Sequence, residues 1–274
     1  MTPGSAGRFI RRRRKRQRNE LMKTMEEIYE ELNGLIAEER WEEIEPYLQA
    51  RMEEAKDEEQ HGIYVAAGNE LLTFYRQSGQ YEKAFAVSED ILLLMEELNL
   101  EDSEHFALVL MSTGAAWEGA GGTREAADCY ARAVRILERK KADGLLAEAL
   151  TRQGVLQLAD GQGEALLQRA AELFEKRGQA GNACKDEASD SQETVYELTA
   201  LSGLGEGAWR RGDYEAALAF YEKGARKSAA LSGASEGTRL FWKNCAAACA
   251  ALKDTEKETH YRALAEQGSG GNAS

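Results

Sequence analysis

The 274 residues carry 35 basic and 48 acidic side chains, a formal charge of −13, and only two prolines, Pro3 and Pro46. Ala, Leu, Glu, Lys and Arg abound, as expected of an all-helical chain. No apolar run approaches the roughly 18–20 residues that span a bilayer. The four cysteines, Cys129, Cys184, Cys245 and Cys249, are too few and scattered to staple a chain of this size, so reduced thiols and a cytoplasmic location are expected.

The charge is unevenly spread. Arg8, Arg11, Arg12, Arg13, Arg14, Lys15, Arg16 and Arg18 crowd into residues 1–21. This run reads as a disordered basic leader, since a like-charge block cannot bury itself. Two alternatives stay open. One is a nucleic-acid or membrane-surface patch with Phe9 as its aromatic; the other is a misassigned start, with Met22 or Met25 as the true first residue. From Met22 onward 27 basic residues face 47 acidic ones, near −20. Such a body repels nucleic acid and anionic lipid, so a partner steered by charge is expected to be basic. Residues 22–59 alone hold fourteen acidic side chains against Lys23, Arg40, Arg51 and Lys56. The leader, where present, is expected to hover over this segment in a salt-dependent way.

After the leader, MEEIYEELNGLIAEERWEEIEPYLQARM has the length of a helical hairpin, with Ile28, Trp41, Ile44 and Leu48 apolar. LLTFYRQSGQYEKAFAV follows, with Leu72, Tyr75, Gly79, Tyr81 and Ala84. The clearest unit is ALVLMSTGAAWEGAGGTREAADCYARAVRIL. Its Gly114, Trp117, Gly121, Ala126, Tyr130 and Ala133 stand at steps of three, four, five, four and three residues. A fourth unit keeps Leu150, Gly154 and Gly161 but has Gln157 where its predecessors place a ring. Its second helix reads about three residues short, so an irregular hairpin is expected there. KRGQAGNACKDEASDSQE, from Lys176 to Glu193, then reads as an inserted loop or short linker. Leu201, Gly205, Ala208, Gly212, Tyr214, Ala217 and Tyr221 restore the pattern, with Gly224 at a position where alanine is usual. Trp242, Ala246, Cys249 and Ala265 mark a degenerate last unit, and residues 267–274 read as a disordered tail.

Glycine just past a helix suits the left-handed turn that reverses the chain, which is the expected role of Gly79, Gly121, Gly161 and Gly212. Gly114, Gly154, Gly205 and Ala246 let paired helices approach closely, and Tyr75, Trp117, Tyr130 and Tyr221 fill the gaps between them. The spacing of small, aromatic, alanine, aromatic and alanine positions resembles the tetratricopeptide repeat family over nearly the whole body. Unit starts at Met25, Val65, Ala107, Ala147, Leu198 and Arg239 give periods of 40, 42, 40, 51 and 41 residues. The commonest period in that family is about 34, and units near 42 are similar to its kinesin-light-chain type. The resemblance implies a right-handed α-solenoid of about six hairpins over residues 22–266. HEAT or armadillo repeats and a helical bundle are the rival architectures.

No convergent chemistry accompanies the repeats. His61, His105 and His260 lie in different units, and no HExxH or phosphate-loop motif is present. Cys245 and Cys249 share a helix face but lack two further ligands for zinc, so packing between helices is the expected role. No catalytic, cofactor-binding or metal-binding residue is assigned.

The resemblance also implies a concave groove lined by the first helix of each hairpin. Its expected lining includes Asn69, Thr73 and Arg76, then Met111 and Glu118 around Ala115. Thr151, Arg152 and Val155 follow, then Ser202, Glu206 and Trp209, then Lys243 and Ala247. Met111 and Trp209 are the expected apolar anchors. Chaperone-binding members clamp a terminal carboxylate with Lys, Asn and Arg; at the matching positions Asn69, Thr73, Ser112, Glu148 and Arg152 only Arg152 fits, so no such clamp is expected. The leading reading is a non-enzymatic scaffold or adaptor for a protein or peptide. A regulatory peptide sensor is the alternative, although the leader is too short for a helix-turn-helix domain, and a helical enzyme or metal-binding protein comes third.

Overall fold

The computed structural model describes residues 24–179 and 187–266. The basic leader, Cys184 with the middle of the expected insertion, and the tail 267–274 lie outside the described residues. Within them the chain is all-helical, with twelve helices paired into six hairpins. These are α1 (Met25–Ala37) with α2 (Trp41–Asp57), α3 (His61–Gln77) with α4 (Tyr81–Glu97), and α5 (Glu104–Gly119) with α6 (Thr123–Lys140). The rest are α7 (Asp143–Leu156) with α8 (Gly163–Gln179), α9 (Glu187–Arg210) with α10 (Tyr214–Ser232), and α11 (Glu236–Leu252) with α12 (Thr255–Glu266). Two compact units divide at Asn99 and Leu100, so α1–α4 belong to the first and α5–α12 to the second.

Turn chemistry explains where the helices stop. The α3–α4, α5–α6, α7–α8 and α9–α10 turns place Gly79, Gly121, Gly161 and Gly212 at φ of 72°, 83°, 74° and 78°. In that region a Cβ is strained, which is why glycine recurs there. The first and last hairpins turn instead on Glu39 (φ 57°) and Lys253 (φ 61°). Most of these turns close with an amide bonding back five residues, as in Gly122 N to Trp117 O at 2.8 Å and Asp213 N to Ala208 O at 3.0 Å. The α7–α8 turn is one residue wider, Gly163 N reaching Gln157 O at 3.0 Å. This is the irregularity expected of that hairpin, but it lies in the turn. The second helix is not short: α8 has 17 residues because Lys176–Gln179, read as the start of the insertion, continue it. Side-chain caps start other helices. Ser103 accepts from Phe106 N, Asp213 from Ala216 N and Ser235 from Thr238 N, each satisfying an otherwise orphan amide.

Packing within a hairpin is set by glycine facing a large side chain. A Cβ on Gly114 would come within 2.7 Å of the Tyr130 ring, one on Gly154 within 2.7 Å of Leu167, and one on Gly68 within 2.7 Å of Ile91. Gly205 meets Tyr221 in the same way, and between hairpins Gly224 of α10 meets Phe241 of α11, so glycine at position 224 makes room for a ring. Tyr75, Tyr130 and Tyr221 are buried as expected, while Trp117 is half-buried with its ring against Gly122. Cys245 and Cys249 are fully buried beside Phe241, Tyr221 and Ala208. Burial pushes the Cys245 thiol up to about 12, so both sulfurs act as small apolar groups there.

The first hairpin departs from this scheme. Gly34 has nothing within 4 Å of where its Cβ would stand, and α1 packs on α2 far more loosely than the helices of the other hairpins pack on each other. No bulky α2 side chain is received by a notch in α1. Tyr29 and Ile36 on α1 and Trp41 at the start of α2 stay 41%, 40% and 52% exposed.

Candidate functional site

Positions four, eight and eleven residues after each repeat start lie on one helix face, being about one turn apart. In α5 they hold Met111, Ala115 and Glu118. In α7 the first two are Thr151 and Val155, in α9 they are Ser202, Glu206 and Trp209, and in α11 Lys243 and Ala247. The second unit does not open this face evenly. Met111 and Ala115 are 4% and 8% exposed, and Thr151 is buried with its hydroxyl donating to Ala147 O at 2.8 Å. Met111 is therefore part of the core and offers no apolar anchor to a ligand. Val155, Glu206, Trp209, Lys243 and Ala247 are exposed.

Two predicted residues meet in a half-buried cluster. Arg152 Nε lies 3.2 Å from Glu148 Oε1, and its guanidinium is 3.9 Å from Glu118 Oε2. The Tyr130 hydroxyl donates to Glu118 Oε2 at 3.0 Å, and Arg152 donates to the Tyr196 hydroxyl. The guanidinium also sits over the rings of Tyr130 and Tyr196, at 5.9 and 5.1 Å from their centroids. Burial alone would lower the Arg152 pKa, but Tyr196, Tyr130 and Glu148 outweigh it, so the pKa is raised and the cation held. Burial raises both tyrosines and keeps them neutral donors and ring partners. Four helices, α5, α6, α7 and α9, thus meet at one cation. Two carboxylates already flank it, which leaves little to offer a ligand carboxylate.

Sequence reasoning missed Tyr196. It precedes the aligned repeat start at Leu198, because α9 begins at Glu187 and is 24 residues long. The helical run of apolar residues continuing upstream from Leu201 through Leu198 to Tyr196 and Val195 was the available signal.

Toward the end of α9, Glu206 pairs with Arg210 at 2.5 Å, and Trp209 stacks edge-on with Tyr214 at 5.0 Å between centroids. The indole is 38% exposed and fixed in orientation, a suitable surface for an apolar contact.

In the first unit Asn69, Thr73 and Arg76 share one face of α3 and are half-buried. Asn69 Oδ1 is buried without a hydrogen-bond partner. Thr73 lines a cavity of about 390 Å³ whose walls are Leu32, Ile36, Trp41, Ile44 and Phe74, with Glu70 beside them. On the α2 side of this unit Glu45 gathers Lys83 at 2.8 Å and the Tyr75 hydroxyl at 2.8 Å. Lys83, then Tyr75, holds the Glu45 carboxyl below its ordinary range.

Among the described residues no group of three or more His, Cys, Asp or Glu side chains is placed to hold a metal ion. The three histidines are exposed, on α3, α5 and α12. No helix of the described residues is long and apolar enough to cross a membrane.

Among solved structures the chain is similar to BtubC (BKLC) of P. vanneervenii, with a TM-score of 0.68 and 17% identity over 83% of this chain and 90% of that one. It is also similar to the nearly identical TPR-like repeats of a kinesin-light-chain-like protein of Podosopora anserina, with a TM-score of 0.54 and 16% identity over 74% and 93%. No family sequence model and no curated protein matches the chain. The glycine-to-ring hairpins and these two likenesses together give the chain the fold of the tetratricopeptide-type helical repeat proteins, the kinesin-light-chain-like repeats among them.

Proposed function

We propose that the chain is a non-enzymatic scaffold that binds a protein or peptide on the first-helix faces of its repeats. The observation that carries this reading is the exposed face of α7, α9 and α11 in the second unit. Val155 and the edge-held Trp209 alternate there with Glu206 and Lys243, a mixture suited to backbone and side-chain recognition of an extended segment. The Arg152 cluster ties α5, α6, α7 and α9 together, which limits the ordering cost on binding. The same cluster speaks against a terminal-carboxylate clamp. A cytoplasmic location belongs to this reading and rests on the few, scattered cysteines, and a preference for protein over nucleic acid rests on the acidic body.

The test is affinity capture with the full chain, comparing Trp209→Ala and Lys243→Glu with the parent by quantitative mass spectrometry. Loss of the same partner in both variants, with unchanged circular dichroism, supports the assignment. Partners retained by both variants would refute it. Arg152→Glu should weaken capture as well, but through loosened α7–α9 packing, visible as faster amide exchange in those helices.

A further inference from the structure

The loosely packed first hairpin carries an observation that the scaffold reading does not use. Leu32 and Ile36 of α1, Trp41 and Ile44 of α2, and Phe74 of α3 surround the cavity of about 390 Å³. That is within the range of about 300–1,000 Å³ typical of binding pockets. Its apolar wall extends to the surface through Ile36 and Trp41, which are 40% and 52% exposed. Exposed apolar groups contiguous with a cavity differ from scattered ones, because covering them together removes a connected area from water.

The setting is acidic. Glu70 stands in the cavity wall, and no lysine or arginine among the described residues forms an ion pair with it. Burial raises the Glu70 pKa, with the Tyr29 hydroxyl opposing. A second concavity between α1 and α2 is lined by Glu31, Glu38 and Glu43, where Arg40 pairs with Glu38 at 2.8 Å and with Glu43 at 2.7 Å, so three carboxylates share one cation. Over residues 24–99 twenty acidic side chains face five basic ones.

We propose that this groove docks a basic amphipathic segment of a partner protein. Its apolar side chains enter between α1 and α3 against Trp41 and Phe74, and its lysines or arginines meet Glu70 and the carboxylates of the α1–α2 cleft. Charge selects the occupant. Nucleic acid and anionic lipid are repelled by such a surface, and a second copy would bring the same acidic face against itself. The proposal rests on the first unit alone, so it stands or falls separately from the face assigned on α7–α11.

The test uses fluorescence anisotropy of the full chain with a labelled 14-residue helix-forming peptide. Leucines stand at i, i+3, i+4 and i+7, and the remaining positions are lysine. A lysine–serine peptide of equal charge and a glutamate version of the amphipathic peptide serve as controls. The amphipathic basic peptide should bind, and the two controls should not. Trp41→Ala and Glu70→Lys should each weaken binding by about tenfold or more, as for other anchor residues. Raising salt from 50 to 300 mM should weaken it further. Trp41 is half exposed, so its truncation leaves the fold intact by circular dichroism, and Glu70→Lys tests the charge independently. Trp209→Ala, which alters the second unit and leaves the groove residues unchanged, should change this affinity by less than about twofold. Equal binding of the lysine–serine peptide would overturn the proposal, as would affinities within twofold of the parent in both groove variants. Tenfold tighter binding after changing Arg11, Arg12, Arg13 and Arg14 together to serine would also overturn it, by showing that the leader of the same chain fills the groove.

Discussion

Replacing Gly114 and Gly34 by alanine should move stability in opposite directions, although both lie inside helices. At Gly114 the new Cβ would stand 2.7 Å from Tyr130 Cε1 and 2.9 Å from Cζ, whereas ordinary contact starts at 3.4 Å. The ring must therefore retreat by about 0.7 Å in an interior packed like an organic crystal. Tyr130 is fully buried and its hydroxyl is tied to Glu118 at 3.0 Å, so α5 and α6 must part instead. Overpacking of this kind costs about 1–3 kcal/mol, against a gain of about 1 kcal/mol from the better helix propensity of alanine. A net loss of up to about 2 kcal/mol is expected for Gly114→Ala. Gly34 has open space where its Cβ would go, so Gly34→Ala should keep the propensity gain and add about 0.5–1 kcal/mol. Urea unfolding followed by far-UV circular dichroism measures both shifts. Amide exchange in α5–α6 and in α1 assigns each to its unit, which matters because a repeat array need not melt as one transition. Shifts of the same sign in the two variants would refute the account of glycine as a seat for the facing ring.

Turn chemistry makes a second prediction. Glu39→Gly and Lys253→Gly, at φ of 57° and 61°, should each relieve left-handed strain and stabilise by up to about 1 kcal/mol, while Gly121→Ala should destabilise by a similar amount; thermal melts of the three variants decide it. The third concerns pH. The folded-state pKa of Glu70 lies above its ordinary value because burial disfavours the carboxylate. Its charge therefore costs stability above the folded pKa, and the cost vanishes as pH falls below the unfolded value. Glu70→Gln should accordingly stabilise the first unit at pH 7 and lose that advantage near pH 4. An advantage that grows in acid would contradict the assignment.

Periodicity made much of this molecule legible. Gly79, Gly121, Gly161 and Gly212 could be placed at turns because only a residue without Cβ adopts that conformation freely, and all four have positive φ. Gly114, Gly154 and Gly205 could be paired with large side chains because helix spacing fixes which positions face the partner helix. The length of α8 was misjudged, since KRGQ at its end has the composition of a loop yet extends a helix already formed and packed through Phe174. The face of the first helices was legible as a register but not as a surface. Met111 and Lys243 occupy equivalent positions, and only the packing around each makes one core and the other exposed.

Local rules thus determined the helices, their turns and the repeat class, because they depend on side chains within one or two turns of each other. Tertiary structure decided three things. Arg152 joins Glu118, Tyr130 and Tyr196, which lie 34, 22 and 44 residues away in sequence. Met111 is buried where Trp209 is open. The first hairpin stands apart because nothing on α2 fills the notch at Gly34. Each depends on what a neighbouring helix brings to the same point in space, and spacing along one chain segment does not contain that information.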